Sequence, residues 1–120
     1  MSTILIADDD PLMIRLYEFT LKRTDHRLII CREGLAAARL ARTEEPDLAI
    51  IDLMLPGKSG FELIQEFRED EKLVTLPVIV VTGRGEHQVH EDLRNAGVDR
   101  VFTKPFAPSL LLSAIEELTE

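Results

Sequence analysis

The sequence predicts an α/β fold built on one doubly wound, five-stranded parallel sheet, and three observations carry that expectation. Short runs rich in Ile, Val and Leu alternate with amphipathic stretches of about ten to fifteen residues, the pattern of repeated βα units. The runs Thr3-Ile4-Leu5-Ile6-Ala7, Leu48-Ala49-Ile50-Ile51 and Val78-Ile79-Val80-Val81 are almost wholly apolar, as strands covered on both faces are. Cap and turn residues, among them Asp10-Pro11, Ser59 and Gly97, punctuate the stretches between them.

The elements follow in order. Strands are expected over residues 3–8, 27–31, 47–51, 77–81 and 99–103. The second and fifth are bounded by charged residues and suit the edges of the sheet. Asp10 caps the first helix with Pro11 at its first position, and Leu12, Leu16 and Phe19 form its expected core face. Leu35, Ala38 and Ala41 mark a weakly apolar second helix that stops before Pro46. Ser59 caps a third, with Phe61, Ile64 and Phe67 inward. The fourth buries Val89, Leu93 and Ala96 and ends at Gly97 as an αL terminator. The fifth follows Pro108-Ser109 and buries Leu111, Ile115 and Leu118.

Right-handed crossovers with helices on both sheet faces require one reversal of direction along the sheet. Strand order 2-1-3-4-5, the flavodoxin-like (βα)5 arrangement, puts that reversal between strands one and three. Ligands in such sheets bind outside the carboxyl ends of the strands at that crevice. Asp8, Asp9 and Asp52 are the residues that end those strands.

With 120 residues, 45% hydrophobic and 30% charged, the chain suits one globular domain spanning 1–120. A net charge of −8 argues against direct nucleic-acid binding and against a polybasic membrane patch. Cys31 is the only cysteine, which rules out an internal disulfide and a cysteine zinc cluster. No apolar stretch approaches the roughly 20 residues of a membrane span, and no signal segment opens the chain. A cytoplasmic location is the expectation.

The chemistry sits where the strands end. Two carboxylates a few ångströms apart repel by roughly 4 kcal/mol at an effective dielectric of about 20, so such a cluster calls for a cation. Mg2+ takes oxygen ligands and keeps several waters. Asp9, Asp52, one backbone carbonyl after Asp52 and waters suit its inner shell, with Asp8 reaching it through a water. A carboxylate is ionised at neutral pH and can accept a phosphoryl group without a base, and Asp52 on a rigid strand end suits that role. Lys104 would neutralise the transferred oxygens, Thr82 would sense them through its hydroxyl, and Gly83 leaves room for the entering phosphate. Lys104-Pro105 is a candidate cis peptide.

Taken together these pieces resemble a response-regulator receiver domain of two-component signalling, over essentially the whole chain. The resemblance rests on Ile-Leu-Ile-Ala-Asp-Asp-Asp-Pro at 4–11, Pro-Asp-Leu-Ala-Ile-Ile-Asp-Leu-Met-Leu-Pro-Gly at 46–57, Gly60, Pro-Val-Ile-Val-Val-Thr-Gly at 77–83, Ala96-Gly97 and Thr-Lys-Pro-Phe at 103–106. It implies Asp52 as phosphoacceptor, Asp8 and Asp9 as the acidic pair for Mg2+, Met54 as donor of a backbone carbonyl, Thr82 as switch hydroxyl and Lys104 as phosphate-contacting lysine. Met54 and Arg84 would border the phosphate pocket. The implied partners are a sensor histidine kinase or histidine phosphotransfer protein and a downstream protein target. Whether phosphorylation drives a homodimer is a question the sequence leaves open. Such a chain is a switch that assists its own phosphorylation and dephosphorylation, not an enzyme. The family usually carries an aromatic three residues before the lysine, where this chain has Val101, and Phe102 should face the other side of the strand.

Rival readings are weaker. Aspartate-nucleophile phosphatases use Asp-x-Asp, but Met54 stands where the second carboxylate belongs. There is no Gly-x-x-x-x-Gly-Lys-Ser/Thr loop for a GTPase, and three aspartates after strand one would repel anionic FMN. The remaining alternative is a degenerate receiver that serves as an unphosphorylated docking module. His87 and His90 read as a solvated face, Cys31 as a small core filler, and the acidic run Glu66 to Glu71 as an exposed helix end. Tyr17 reads as a solvent-edge aromatic, with Met13, Ile14 and Tyr17 as weaker candidates for a phosphodonor contact.

Overall fold

The computed structural model describes residues 2–83 and 85–120. Strands and helices alternate along these residues as β1 (Thr3–Ala7), α1 (Pro11–Leu21), β2 (Arg27–Cys31), α2 (Gly34–Thr43), β3 (Leu48–Ile51), α3 (Gly60–Glu69), β4 (Val78–Thr82), α4 (His87–Asn95), β5 (Arg100–Thr103) and α5 (Pro108–Thr119). The sheet is parallel throughout with order β2-β1-β3-β4-β5, so β2 and β5 are its edges and the reversal falls between β1 and β3.

Strand alternation sorts the side chains into two cores. Ile4, Ile6, Leu48, Ile50, Ile79 and Val81 face α1 and α5. Leu5, Ala7, Ala49, Ile51, Val78 and Val80 face α2, α3 and α4. None of these strand residues is more than 1% exposed, which is why their runs carry no polar alternation. Val101 packs on the α2–α4 side and Phe102 on the α1–α5 side, as the alternation requires.

Two helices turn a different face inward from the one their spacing suggested. In α1 the buried residues are Met13, Ile14, Tyr17 and Leu21, while Leu12 and Phe19 are 73% and 77% exposed. The helix is apolar on two stripes, and periodicity cannot choose between them. Its rotation is settled by the hand-over from β1 through the Asp10 cap and by Phe106, which takes the Tyr17 ring in a stack. Tyr17 is therefore a core residue and not a solvent-edge one, and Met13 and Ile14 are buried and unavailable to a partner. In α2 the inward residues are Gly34, Ala37 and Ala41, with Leu35 exposed and Ala38 half-buried. The small face is needed because α2 lies close on the loop after β3: a Cβ on Gly34 would meet the Lys58 carbonyl oxygen at 2.0 Å. The inward faces of α3, α4 and α5 follow expectation, with Leu63 and Ala114 joining the core and Phe61, Ala96 and Leu118 half-buried against it.

At the amino ends of β4 and β5 the side chain of Arg68 ties three segments together. Its Nε and Nη2 donate to the Gly97 carbonyl at 3.2 and 2.8 Å. Its Nη1 donates to the carbonyls of Val74 and Leu76 at 3.1 and 2.9 Å, with Leu73 at 3.4 Å. Gly97 ends α4 with φ +91, and a Cβ there would stand 2.9 Å from Arg68 Nε. Glycine is thus required twice over, by the left-handed backbone and by the guanidinium. The acidic run around it is more than an exposed helix end, since Lys58 pairs with Glu66 and Arg42 with Asp70.

Candidate functional site

Register builds the site. Ala7 pairs with Ile51, so the next residues, Asp8 and Asp52, leave neighbouring strands side by side. Both backbones stay in the sheet pattern at that point: Asp52 N–H donates to the Ala7 carbonyl at 3.0 Å and Asp8 N–H to the Cys31 carbonyl at 3.1 Å. Thr82 closes β4 opposite Thr103, and the Lys104 N–H donates to the Thr82 carbonyl at 2.7 Å. Lys104 is thereby carried to the same edge. The Lys104-Pro105 peptide is cis, as anticipated.

The side chains then converge. Lys104 Nζ stands 3.1 Å from Asp52 Oδ2 and 3.2 Å from Asp8 Oδ2. Asp52 Oδ1 accepts the Met54 N–H at 3.2 Å, so each oxygen of Asp52 has a donor. Asp8 Oδ1 accepts the Asp10 N–H at 2.9 Å, while Asp10 caps α1 through the Leu12 N–H at 2.9 Å. Asp8 and Asp52 are 1% and 5% exposed, whereas Asp9 faces solvent. One carboxylate oxygen from each of Asp8, Asp9 and Asp52 lies within 4.8 Å of the others.

Gly60 makes the approach to Asp52 feasible. Its N–H donates to the Leu53 carbonyl at 3.0 Å, and a Cβ there would meet the Asp52 carbonyl oxygen at 2.8 Å and Leu53 Cα at 2.7 Å. The loop from Asp52 to α3 folds back on itself only because that position has no side chain. Ser59 caps α3 through the Glu62 N–H, as expected.

Burial raises the Asp8 carboxyl above its ordinary range, against the pull of the Asp10 N–H and the Lys104 charge. For Lys104, burial alone would lower the ammonium. The hydrogen bond to Asp52 and the charges of Asp8 and Asp52 outweigh that, and the net direction is up. Tyr17 lies close enough beneath the crevice that, after burial, the Asp8 and Asp52 charges raise its phenol further.

The cluster fits a hard divalent cation. Asp8 Oδ2 is buried without a hydrogen bond, because its approach to Lys104 is an ion pair lacking hydrogen-bond alignment. A buried carboxylate oxygen left in that state, among oxygen donors only, suits Mg2+ or Mn2+ better than zinc. Met54 follows two residues after Asp52 and is 68% exposed. Thr82 is fully buried at the end of β4. Gly83 beside it is exposed, and apart from its chain neighbours a Cβ there would meet nothing within 4 Å among the described residues. Arg84 lies outside the described residues. His87 is exposed and pairs loosely with Glu91 at 3.8 Å, a solvated face. Cys31 ends β2 in the core, with its thiol pushed up to about 11 by burial.

The Tyr17–Phe106 stack under the crevice escaped sequence reasoning. Its one signal was Phe106 directly after Lys104-Pro105, an apolar ring that needed a place to bury.

A doubly wound sheet with an acidic cluster and a lysine at its switch point is the architecture of a signalling receiver. The chain belongs to the response regulator receiver domain family of two-component signalling, whose family model matches residues 4–116. It is 34% identical over 118 residues to the DNA-binding dual master transcriptional regulator RpaA of Synechocystis, covering 98% of this chain and 49% of RpaA. The chain thus spans about half the length of that relative. It is 31% identical over 114 residues to the polar-differentiation response regulator DivK of Brucella abortus, covering 95% of this chain and 93% of DivK. The Mn2+-bound form of response regulator Rcp1 superposes with a TM-score of 0.82 at 29% identity, over 99% of this chain and 90% of that one. No helix among the described residues is long and apolar enough to cross a membrane.

Proposed function

We propose that Asp52 accepts a phosphoryl group from a phosphohistidine of a sensor kinase or phosphotransfer protein, and that the domain then changes shape for a downstream protein. One observation carries this reading: Asp52 is held at the sheet edge between the Met54 N–H and Lys104 Nζ, with Asp8 and Asp9 against it. An Asp52 carboxylate oxygen forms the new O–P bond while the N–P bond of the phosphoimidazole breaks and its electron pair returns to the ring. Lys104, already within reach of that carboxylate, holds positive charge where the phosphoryl oxygens arrive. Thr82, whose strand ends beside Lys104, offers its hydroxyl to one of them, and the open space at Gly83 admits the group. Mg2+ held by Asp8, Asp9 and Asp52 with the Met54 carbonyl would supply further neutralisation of those oxygens, and the metal-bound state of Rcp1 supports that assignment. Water later hydrolyses the acyl phosphate, so the chain works as a cytoplasmic switch on its own side chain and turns over no separate substrate.

Incubation with acetyl phosphate and Mg2+, followed by intact-mass measurement, tests this. The expected result is a gain of one phosphoryl group that is absent in Asp52→Asn and absent in EDTA. An unchanged mass in the wild type would leave the chain as an unphosphorylated docking module.

A further inference from the structure

Tyr17 is the only tyrosine of a chain with no tryptophan. Its ring lies over Phe106 with centroids 5.5 Å apart and planes 12° from parallel. Phe106 is two residues beyond Lys104 and is itself buried in the α1–α5 core. The segment between them has two anchors: the Lys104 N–H on the Thr82 carbonyl at 2.7 Å, and the Phe106 ring on Tyr17. A lysine has a long flexible stem, so keeping Nζ near both Asp52 and Asp8 depends on where its backbone is fixed. Tyr17 closes that restraint, and its phenol feels the charges of both carboxylates. Strand β5 offers no ring on the opposite core, because Val101 occupies that side and Phe102 turns toward α1 and α5. The outer face of α1 is unusual for a surface helix: Leu12 and Phe19 are exposed, and Phe19 lines a groove of about 660 Å³ with Leu16, Pro108 and Leu112.

We propose that Tyr17, through its stack on Phe106, is a positioning residue for Lys104 and couples the charge state of Asp52 to the outer α1–α5 face. The proposal rests on Asp52 being the phosphoacceptor. When the Asp52 carboxylate is esterified, Lys104 exchanges its carboxylate contact for phosphoryl oxygens and its segment shifts. Phe106 moves with the segment, and the ring packed on it transmits the displacement to a helix that is rigid along its length. The response then emerges at Leu12 and Phe19, on the face opposite to Tyr17 on the same helix.

The test uses the full chain, isotopically labelled, with amide and tyrosine-ring resonances recorded before and after acetyl phosphate and Mg2+, and intact mass measured on the same sample. The expected result is a phosphoryl mass gain accompanied by shifts of the Tyr17 ring and of amides from Leu12 to Phe19 that exceed those of α4. Tyr17→Phe should retain these shifts, while Tyr17→Leu should reduce them several-fold and leave those of Thr82 and Gly83 in place. If Tyr17→Leu lowers only the melting temperature and keeps the shift pattern, the stack is structural and the proposal fails. It fails also, whatever the variant does, if wild-type α1 stays still while α4 moves. Absence of any mass gain would overturn the phosphoacceptor reading alone. The coupling is then read by comparing wild type with Asp52→Asn, which removes the carboxylate that Lys104 contacts: displaced α1 resonances support it, and changes confined to the neighbours of Asp52 overturn it.

Discussion

Lys104 and Arg68 are both partly buried cations, set at opposite ends of the same sheet, and their surroundings are opposite in character. Around Arg68 nearly everything is satisfied: the guanidinium fills carbonyls from the loop before β4 and the turn before β5, with Asp99 at 3.7 Å. Asp99 in turn accepts the Val78 N–H at 2.8 Å. Around Lys104 the arrangement is left incomplete, with mutually repelling carboxylates, one ammonium and a buried Asp8 oxygen lacking a hydrogen bond. The first region is neutral backbone closed by one charge and serves stability. The second holds more negative than positive charge at a partly exposed strand edge, which suits a cation and, under the proposed function, a phosphoryl group.

The largest effect should follow from breaking the satisfied end. Arg68→Ala strips a charged donor from the part-buried Leu76 carbonyl and the exposed Gly97 carbonyl and should lower unfolding free energy by about 2 kcal/mol, read as a drop in the urea midpoint. Arg68→Lys should recover only part, since an ammonium cannot fork between Gly97 and Leu76. Under the proposed function, folded Arg68→Lys should gain the same phosphoryl mass as the wild type; its loss in the variant alone would erase the division between the two ends.

The incomplete end should respond in the other direction. Asp8→Asn removes a carboxylate whose burial raises its pKa, and should stabilise the metal-free chain by about 1 kcal/mol at neutral pH. The folded state binds that proton more tightly than the unfolded state, so the Asp8 contribution is fully present below the ordinary value of 3.8 and lost as pH rises through the raised one. The advantage of Asp8→Asn should therefore shrink on acidification. Mg2+ should raise the melting temperature of the wild type, corresponding to about 2.7 kcal/mol of stability at a concentration of 100 Kd, and the same variant should lack that rise.

Lys104 supplies an alkaline counterpart. Its raised pKa means that its stabilising contribution is complete below 10.5 and disappears as pH climbs through the folded value. Wild type should lose more stability than Lys104→Met between pH 10 and higher values, in denaturant melts across that range.

The smallest effect belongs to a solvated control. Arg42 pairs with Asp70 at 2.8 Å and Glu66 at 3.6 Å but is half exposed, and Arg42→Ala should cost no more than about 0.5 kcal/mol. A loss as large as that of Arg68→Ala would show that charge pairing, and not carbonyl satisfaction, decides the contrast.

Most of the crevice was legible in the sequence because its residues sit directly after apolar runs, and parallel register then leaves little freedom in where they go. Asp8, Asp52, Thr82 and Lys104 are all strand-end residues of this kind. The cap at Asp10, the terminator at Gly97 and the edge positions of β2 and β5 follow from local chemistry in the same way. The rotation of α1 was not legible: Leu12-Leu16-Phe19 and Met13-Tyr17-Leu21 are equally periodic, and a tertiary contact with Phe106 decides between them. The Arg68 cluster was hidden for a different reason. Its partners are backbone carbonyls, which every residue possesses, so no side-chain pattern announces them.

Hydrogen bonding of the Lys104 amide to Thr82 has a consequence for the chain as it is made. Asp8, Asp9 and Asp52 leave the ribosome well before the last strand, yet the basic group that balances them arrives only when β5 docks on β4. Until that docking, Asp8 and Asp52 lack the ammonium that stands 3.2 and 3.1 Å from them in the folded chain.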